Sequence, residues 1–511
     1  MSDARRFETL ILVLVVGASL GLLVACGSGG GGSTPGQPTQ PGVLRTLALE
    51  GGVAPDGGGS FGAFPTAVPL AAAKGGWSLF VGETTLRGQV AYVALPDGSL
   101  LRVWAEGDPA PDLVDGTISA IDRVWIVEGG RLLALVEISG NGAGILEGLL
   151  SARVVGGAVT DRRVVIYDPR SMADTDVAGD LVEIDPDNTY LATTGEVFFR
   201  GGTTTPETAF WKVRSDGSAL SAVVATGDAL PGGTSVAVVH ATGIDAAGTR
   251  FAFVAERSDG GGIDAIYTGT VGSALFGEVA AAGDDLFPPE TIDSIPHDQP
   301  LLVYAGNAAT TVIYKAVSTA GEDYLLFGIP DERDFAIARE GGTDTSVTGG
   351  TFGALAWLRN EAGAATPMFR AALSGASSGI HFGIFSLEGL EFQTAKVTLA
   401  LAVFDGRPAP NRSGVVLSAS FPGLGANGTQ DASREGSLAF ANVLSQGGET
   451  SLYWLVRQVG FFETAGAGIP IPGGGDRFGG ASSYRSTTAV GVVLFRAPLE
   501  SGGSGVFRRG P

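Results

Sequence analysis

From about residue 43 onward the chain is built of short runs in which apolar and polar residues alternate, each run closed by Gly, Asp, Asn or Pro. The clearest copy is Phe251-Ala-Phe-Val-Ala255, preceded by Asp245-Ala-Ala-Gly248 and followed by Ser258-Asp-Gly-Gly-Gly262. A period of two is that of a half-buried strand. Asp-x-x-Gly makes a turn because both of its ends tolerate left-handed backbone, and a Gly-Gly pair makes a hairpin. A third strand is expected at Ala265-Ile-Tyr-Thr268, and a fourth at Leu275-Phe-Gly-Glu-Val-Ala280. Segments of helical period are nearly absent, so the fold class is all-β.

Two phrases recur. The first reads Gly51-Gly-Val-Ala-Pro55, Gly107-Asp-Pro-Ala-Pro111, Gly227-Asp-Ala-Leu-Pro231, Gly283-Asp-Asp-Leu-Phe-Pro288, Gly341-Gly-Thr-Asp344, Gly406-Arg-Pro-Ala-Pro410 and Gly468-Ile-Pro-Ile-Pro472. The intervals are 56, 120, 56, 58, 65 and 62 residues, and the long one is a double interval. The second phrase is the turn and strand around Asp245, repeated at Asn360–Gly363 leading into Phe369, at Gly436–Phe440 and at Val492–Phe495. Degenerate copies are read at Gly76–Phe80, Leu132–Ile138, Tyr190–Thr193 and Leu301–Ala305, with small residues such as Ala255, Ala371 and Ala497 letting sheets approach closely. Four strands per period of this size is what a propeller blade requires. The count favours eight four-stranded blades in one closed β-propeller, the weakest near 167–226, with seven as the alternative. The last unit ends one strand short, at Gly505–Arg509, and Val43–Leu49 is the strand that would complete it.

Residues 1–25 read as a targeting segment: Arg5 and Arg6 precede the apolar run Leu10–Val24, too short for a comfortable membrane span. The run closes on Leu23-Val-Ala-Cys26, which resembles the lipobox of bacterial lipoproteins. That resemblance implies removal of 1–25 and acylation of Cys26. Residues 26–42 are then the lipidated Cys and a Gly/Ser/Pro/Gln tether, reaching about 20 Å, and 43–511 the propeller. Gly27 stands where an inner-membrane retention signal would have aspartate, which favours the outer membrane and leaves the leaflet open. Cys26 is the only cysteine, so no disulfide staples the fold.

The 511 residues include 81 glycines and carry a net charge of -21. That balance speaks against a nucleic-acid partner, which needs a basic surface, and leaves the lipid anchor as the contact with membrane.

Candidate chemistry is sparse. Gly375-Ala-Ser377-Ser-Gly379 has the pattern of a hydrolase nucleophile elbow, with His381 nearby, but it falls where other units have a hairpin turn. Gly423-Leu-Gly425-Ala-Asn-Gly428 has dinucleotide-loop spacing without the following helix. His240, His297 and His381 fall in different units with no metal-ligand spacing, so no metal is expected of them. Asp108, Asp228, Asp284 and Asp285 occupy equivalent repeat positions and would share one face. They are either a ligand or calcium face, or caps of their own turns. Asp185-Pro-Asp187-Asn188 comes nearest to a calcium loop but lacks its glycine. Calcium apart, no cofactor is expected.

Gly107–Pro111, Gly227–Pro231 and Asp245–Phe251, with the Gly-Gly-Ile263 hairpin, resemble a family of bacterial exported tandem-repeat proteins borne on various surface anchors. The resemblance covers about 43–511 and implies a β-propeller at the cell surface, with no activity attached. Several copies here lack the Asn or Asp, so those side chains have no uniform role around the ring. The expectation is a monomeric, lipid-anchored cell-envelope module that binds or scaffolds a protein or glycan partner. The alternative is an extracytoplasmic hydrolase or lyase acting on polysaccharide through carboxylates at the propeller axis.

Overall fold

The structure, a computed structural model, describes residues 42–510 apart from short segments, the longest being 344–349, 358–367, 418–430 and 444–449. Residues 1–41, with the expected signal peptide, Cys26 and most of the tether, lie outside the described residues. So do Ser377, Asn360–Gly363 and the Gly423–Gly428 loop.

The described residues form eight antiparallel sheets, most of them following the order of the chain. Sheet I spans 70–105, II 117–167, III 170–225, IV 236–281, V 292–339, VI 351–404, VII 431–466 and VIII 485–510. Six have four strands, while III and V have five. Sheet VIII takes its fourth strand from the other end of the chain: Val43–Leu49 runs antiparallel to Ser504–Gly510, with Val43 opposite Gly510. The described residues contain no α-helix, only two three-residue 3-10 turns.

The glycine phrase is the splice between sheets. Gly51, Gly107, Gly227, Gly283, Gly341, Gly406 and Gly468 all have φ between 75° and 98°, a region costly for any residue with a Cβ. Reversing there aims each N–H at the segment leading into the next sheet: Gly107 donates to Ile118 O, Gly227 to Val236 O and Gly283 to Ile292 O, each at 2.8 Å. The junction into sheet III lacks the phrase and carries a cis Asp168–Pro169 peptide instead. The Asp245 turn forms as read: Thr249 N donates to Asp245 Oδ1 at 2.7 Å and Thr249 Oγ1 to Oδ2 at 2.8 Å.

Cross-strand aromatic pairs mark the second and third strands: Phe80–Tyr92, Phe253–Tyr267, Phe369–Phe385 and Phe495–Phe507 face one another in register at 5.4–5.8 Å. Such pairs add about 0.5–1.5 kcal/mol beyond the area they bury. The apolar cores lie between consecutive sheets, I with II through to V with VI, and VII with VIII. A further core joins VIII to I, with Val492, Leu494 and Val506 against Phe80 and Tyr92. Ala255, Ala371 and Ala497 are fully buried in these layers.

Two degenerate copies are misplaced by the sequence reading. In sheet III, after the two-residue strand Arg170–Ser171, Tyr190 and Leu191 end the long strand Asp180–Leu191 at the first-strand position, and Glu196–Thr203 is the next. Likewise Leu302–Ala305 belongs to the first-strand position of sheet V, and Thr310–Ser318 is the second. The cause is that first strands here are bulged, which blurs their alternation. In sheet V the first strand is split: Ile292–Ser294 and Leu302–Ala305 pair with the two ends of Thr310–Ser318, and the segment between them, described at 295–299 and 301, loops out. The buried Gln299 side chain fills the gap, its amide donating to Lys315 O at 2.9 Å and accepting from Lys315 N.

Candidate functional site

The repeat-position aspartates hold their own turns. The Oδ2 atoms of Asp108, Asp228 and Asp284 accept from the backbone N–H three residues earlier, at Ala105, Ala225 and Ala281, over 3.0, 2.8 and 2.7 Å. Asp108 also takes the Arg102 guanidinium on both oxygens, at 2.9 and 3.1 Å. Asp285 is exposed and sits in a one-residue bridge to Thr291. Oxygens already engaged by amides and arginine have less to offer a hard cation, so the geometry favours capping over calcium. Asp185 is committed in the same way, to Asp187 N, Asn188 Nδ2 and Arg200.

Two of the three histidines, expected to lie apart, meet. The rings of His240 and His297 stack at 3.6 Å between centroids and 13° between planes. His297 Nε2 lies 2.8 Å from Asp264 Oδ1. His240 is set by the bulge in Val236–Ile244, whose backbone is satisfied from sheet III: Val239 N donates to Thr208 Oγ1 at 2.7 Å, Arg200 Nε to Val239 O at 2.8 Å, and Thr242 N to Asn188 Oδ1 at 2.7 Å. His297 rides on the 295–301 loop of sheet V, and Asp264 opens the third strand of sheet IV. Burial, then the neighbouring His297, lowers the pKa of His240 to about 4, so its ring is neutral at pH 7. Its Nε2 is buried and makes no hydrogen bond. His381 stays in sheet VI, its backbone N–H bonded to Asp405. A signal for the pair did exist: His240 and His297 are 57 residues apart, close to the 56 between Gly227 and Gly283, which places them at matching positions of adjacent units.

A second polar feature is a cleft of about 570 Å³ between sheets II and III. Arg131, Arg153, Arg163 and Arg214 line it, with Asp161 and Asp216 among them. An adjoining hollow shares Arg163 and Asp216 and adds Arg170. Arg131 donates to Thr194 O across the two sheets, and Arg163 pairs with Asp112 at 3.2 Å. Hydrogen bonds from the Ser218 side chain and backbone hold Asp216 below the ordinary carboxylate range. Gathering these arginines in a chain of net charge -21 makes the cleft a local exception to the acidic surface.

No protein-family model matches the chain, and no curated protein sequence does. Among solved structures it is similar to the Porphyromonas gingivalis dipeptidyl peptidase 4 at 8% identity and TM-score 0.44, covering 87% of this chain and 58% of that one. A prolyl endopeptidase structure aligns at 11% identity and TM-score 0.40, over 85% and 54%. The Pseudomonas aeruginosa periplasmic gluconolactonase aligns at 13% and TM-score 0.32, over 78% and 97%. The chain thus spans little more than half the length of the two peptidases. At these scores the likenesses carry nothing about its chemistry.

Proposed function

We propose that the chain is a closed eight-bladed β-propeller, held in the bacterial cell envelope by a lipid on Cys26, that acts as a binding or scaffold module for a protein or glycan partner. Closure is supported by the pairing of Val43–Leu49 with Ser504–Gly510 and by the core between sheets VIII and I. Joining first to last leaves no open sheet at either end of the array.

The observation that carries the binding reading is the arginine-lined cleft between sheets II and III. Its volume suits a sugar unit or short segment, and forked guanidiniums suit carboxylate or sulfate groups. An acidic glycan is therefore the partner it fits best. Asp161, Glu196 and Asp216 in the same lining are what favours the second reading, a polysaccharide hydrolase or lyase. A general acid needs a raised pKa, however, and Asp216 is shifted the other way. The test is calorimetric titration of the full chain with uronic-acid, sulfated and neutral oligosaccharides, beside Arg153→Glu/Arg214→Glu. Acidic sugars should bind intact, and the double variant should lose them at least tenfold. Equal binding of neutral sugars, or no binding at all, overturns the glycan reading, and cleavage of the sugar moves the assignment to the enzyme.

A further inference from the structure

We propose that His240, Asp264 and His297 form a site for a borderline divalent metal ion of the zinc class, which ties the 295–301 loop of sheet V to sheet IV. Two imidazoles and one carboxylate converge there from three separate segments, and one ligand atom from each lies within 4.8 Å of the others. Imidazole with carboxylate is a donor set for zinc and its neighbours, whereas calcium takes oxygen ligands.

Three observations point to a ligand rather than to a resting polar cluster. His240 Nε2 is buried without a hydrogen bond. A buried polar nitrogen left unmade costs free energy, which a coordinate bond would recover. The position of His240 is fixed by a bulge whose amides and carbonyl are held by Thr208, Arg200 and Asn188, so the first ligand is set before any ion arrives. Finally, the loop bearing His297 is pinned at its base by Gln299 while His297 itself is 47% exposed, so the third ligand can swing.

That freedom is needed. Tetrahedral zinc with bonds of 2.0–2.1 Å sets its ligand atoms about 3.4 Å apart. Stacked imidazoles hold their lone pairs in nearly parallel planes, so converging on one ion requires His297 to rotate out of its stack on His240. Three protein ligands leave a fourth position, on the exposed side, for water or an incoming donor. Asp264 supplies the negative charge that partly offsets the ion.

The experiment is zinc titration of the full chain without a polyhistidine tag, read by competition with a chromophoric chelator, beside His240→Ala, His297→Gln and Asp264→Asn. Circular dichroism confirms that each variant folds. One zinc per chain is expected, with at least tenfold weaker binding in each histidine variant and no displacement by hundredfold calcium. Hydrogen exchange at 295–301 should slow on zinc addition in the wild type alone, and cobalt should give the visible bands of a nitrogen/oxygen tetrahedral site. Failure of the wild type to take up zinc, undiminished binding in either histidine variant, or displacement by calcium would overturn the assignment. None of these readouts depends on the glycan cleft.

Discussion

The guanidinium of Arg508 donates to the carbonyl of Leu95 at 2.7 Å, across 413 positions of sequence. The same group reaches Pro96 O at 2.8 Å and Gly76 O, so one buried side chain of sheet VIII satisfies three carbonyls of sheet I. Arg508→Leu strips those carbonyls of their donors and should cost about 2–4 kcal/mol in urea unfolding, with Arg508→Lys recovering part of it. An unchanged urea midpoint in Arg508→Leu would mean the contact is incidental.

Deleting residues 43–49 should do more than weaken the fold. The strand covers the edge of Ser504–Gly510 and contributes Leu47 and Ala48 to the core between sheets VIII and I. A bared edge with a flat apolar face is a template for pairing with other chains. Size-exclusion chromatography should show the deleted protein moving from a single species to soluble aggregate, and a monodisperse deletion product would count against closure at this seam.

The splice glycines separate backbone cost from crowding. At Gly227, φ is +93° and an added Cβ would meet nothing within 4 Å, so Gly227→Ala should cost only the left-handed penalty, about 1–2 kcal/mol. At Gly328 the added Cβ would collide with Val279 and Asp334, and Gly328→Ala should cost about 3 kcal/mol. Thermal unfolding of both variants should rank them in that order.

Capping by Asp228 predicts a loss of about 1 kcal/mol in Asp228→Ala, less in Asp228→Asn, which keeps an acceptor for Ala225 N. Calcium should leave the melting temperatures of wild type and variants unchanged. A calcium-dependent rise that disappears in Asp228→Ala would restore the cation role of this face.

Two buried carboxyls should lower stability as pH rises from about 4 to about 7. Burial pushes the Asp334 carboxyl up to about 7, with Asp284 adding to the rise and Tyr314 opposing it, and burial with Asp168 does the same for Glu147. Below about pH 4 both folded and unfolded chains keep these protons, so the groups cost nothing. Between there and about 7 the unfolded chain releases protons that the folded chain retains, and stability declines with pH. Asp334→Asn should match the wild type near pH 3 and exceed it by roughly 1–3 kcal/mol at pH 8. A variant that tracks the wild type at both values would refute the shift.

Much of the architecture was legible because local chemistry repeats. The recurring glycine phrase and the Asp245 turn each follow from a few neighbouring residues, and the strand 43–49 from an unfilled place in the last unit. First strands were harder. Their bulges are stabilised by side chains of the preceding sheet, as Thr208, Arg200 and Asn188 hold Val239 and Thr242, and nothing local announces them. The histidine pair was legible only through its 57-residue spacing, since His297 sits on a loop that exists only because a strand is split. The arginine cleft is assembled from turns and strand ends of two sheets, each unremarkable in its own segment.

Val43 faces Gly510 across a ladder, and that sets an order of events for a chain made from its N-terminus. This early strand has its partner among residues made much later. At about 5–20 residues per second, Val43–Leu49 waits roughly half a minute to a minute and a half for Ser504–Gly510. The intervening sheets can form as they appear, but the seam that joins them cannot be made until Ser504–Gly510 has been synthesised.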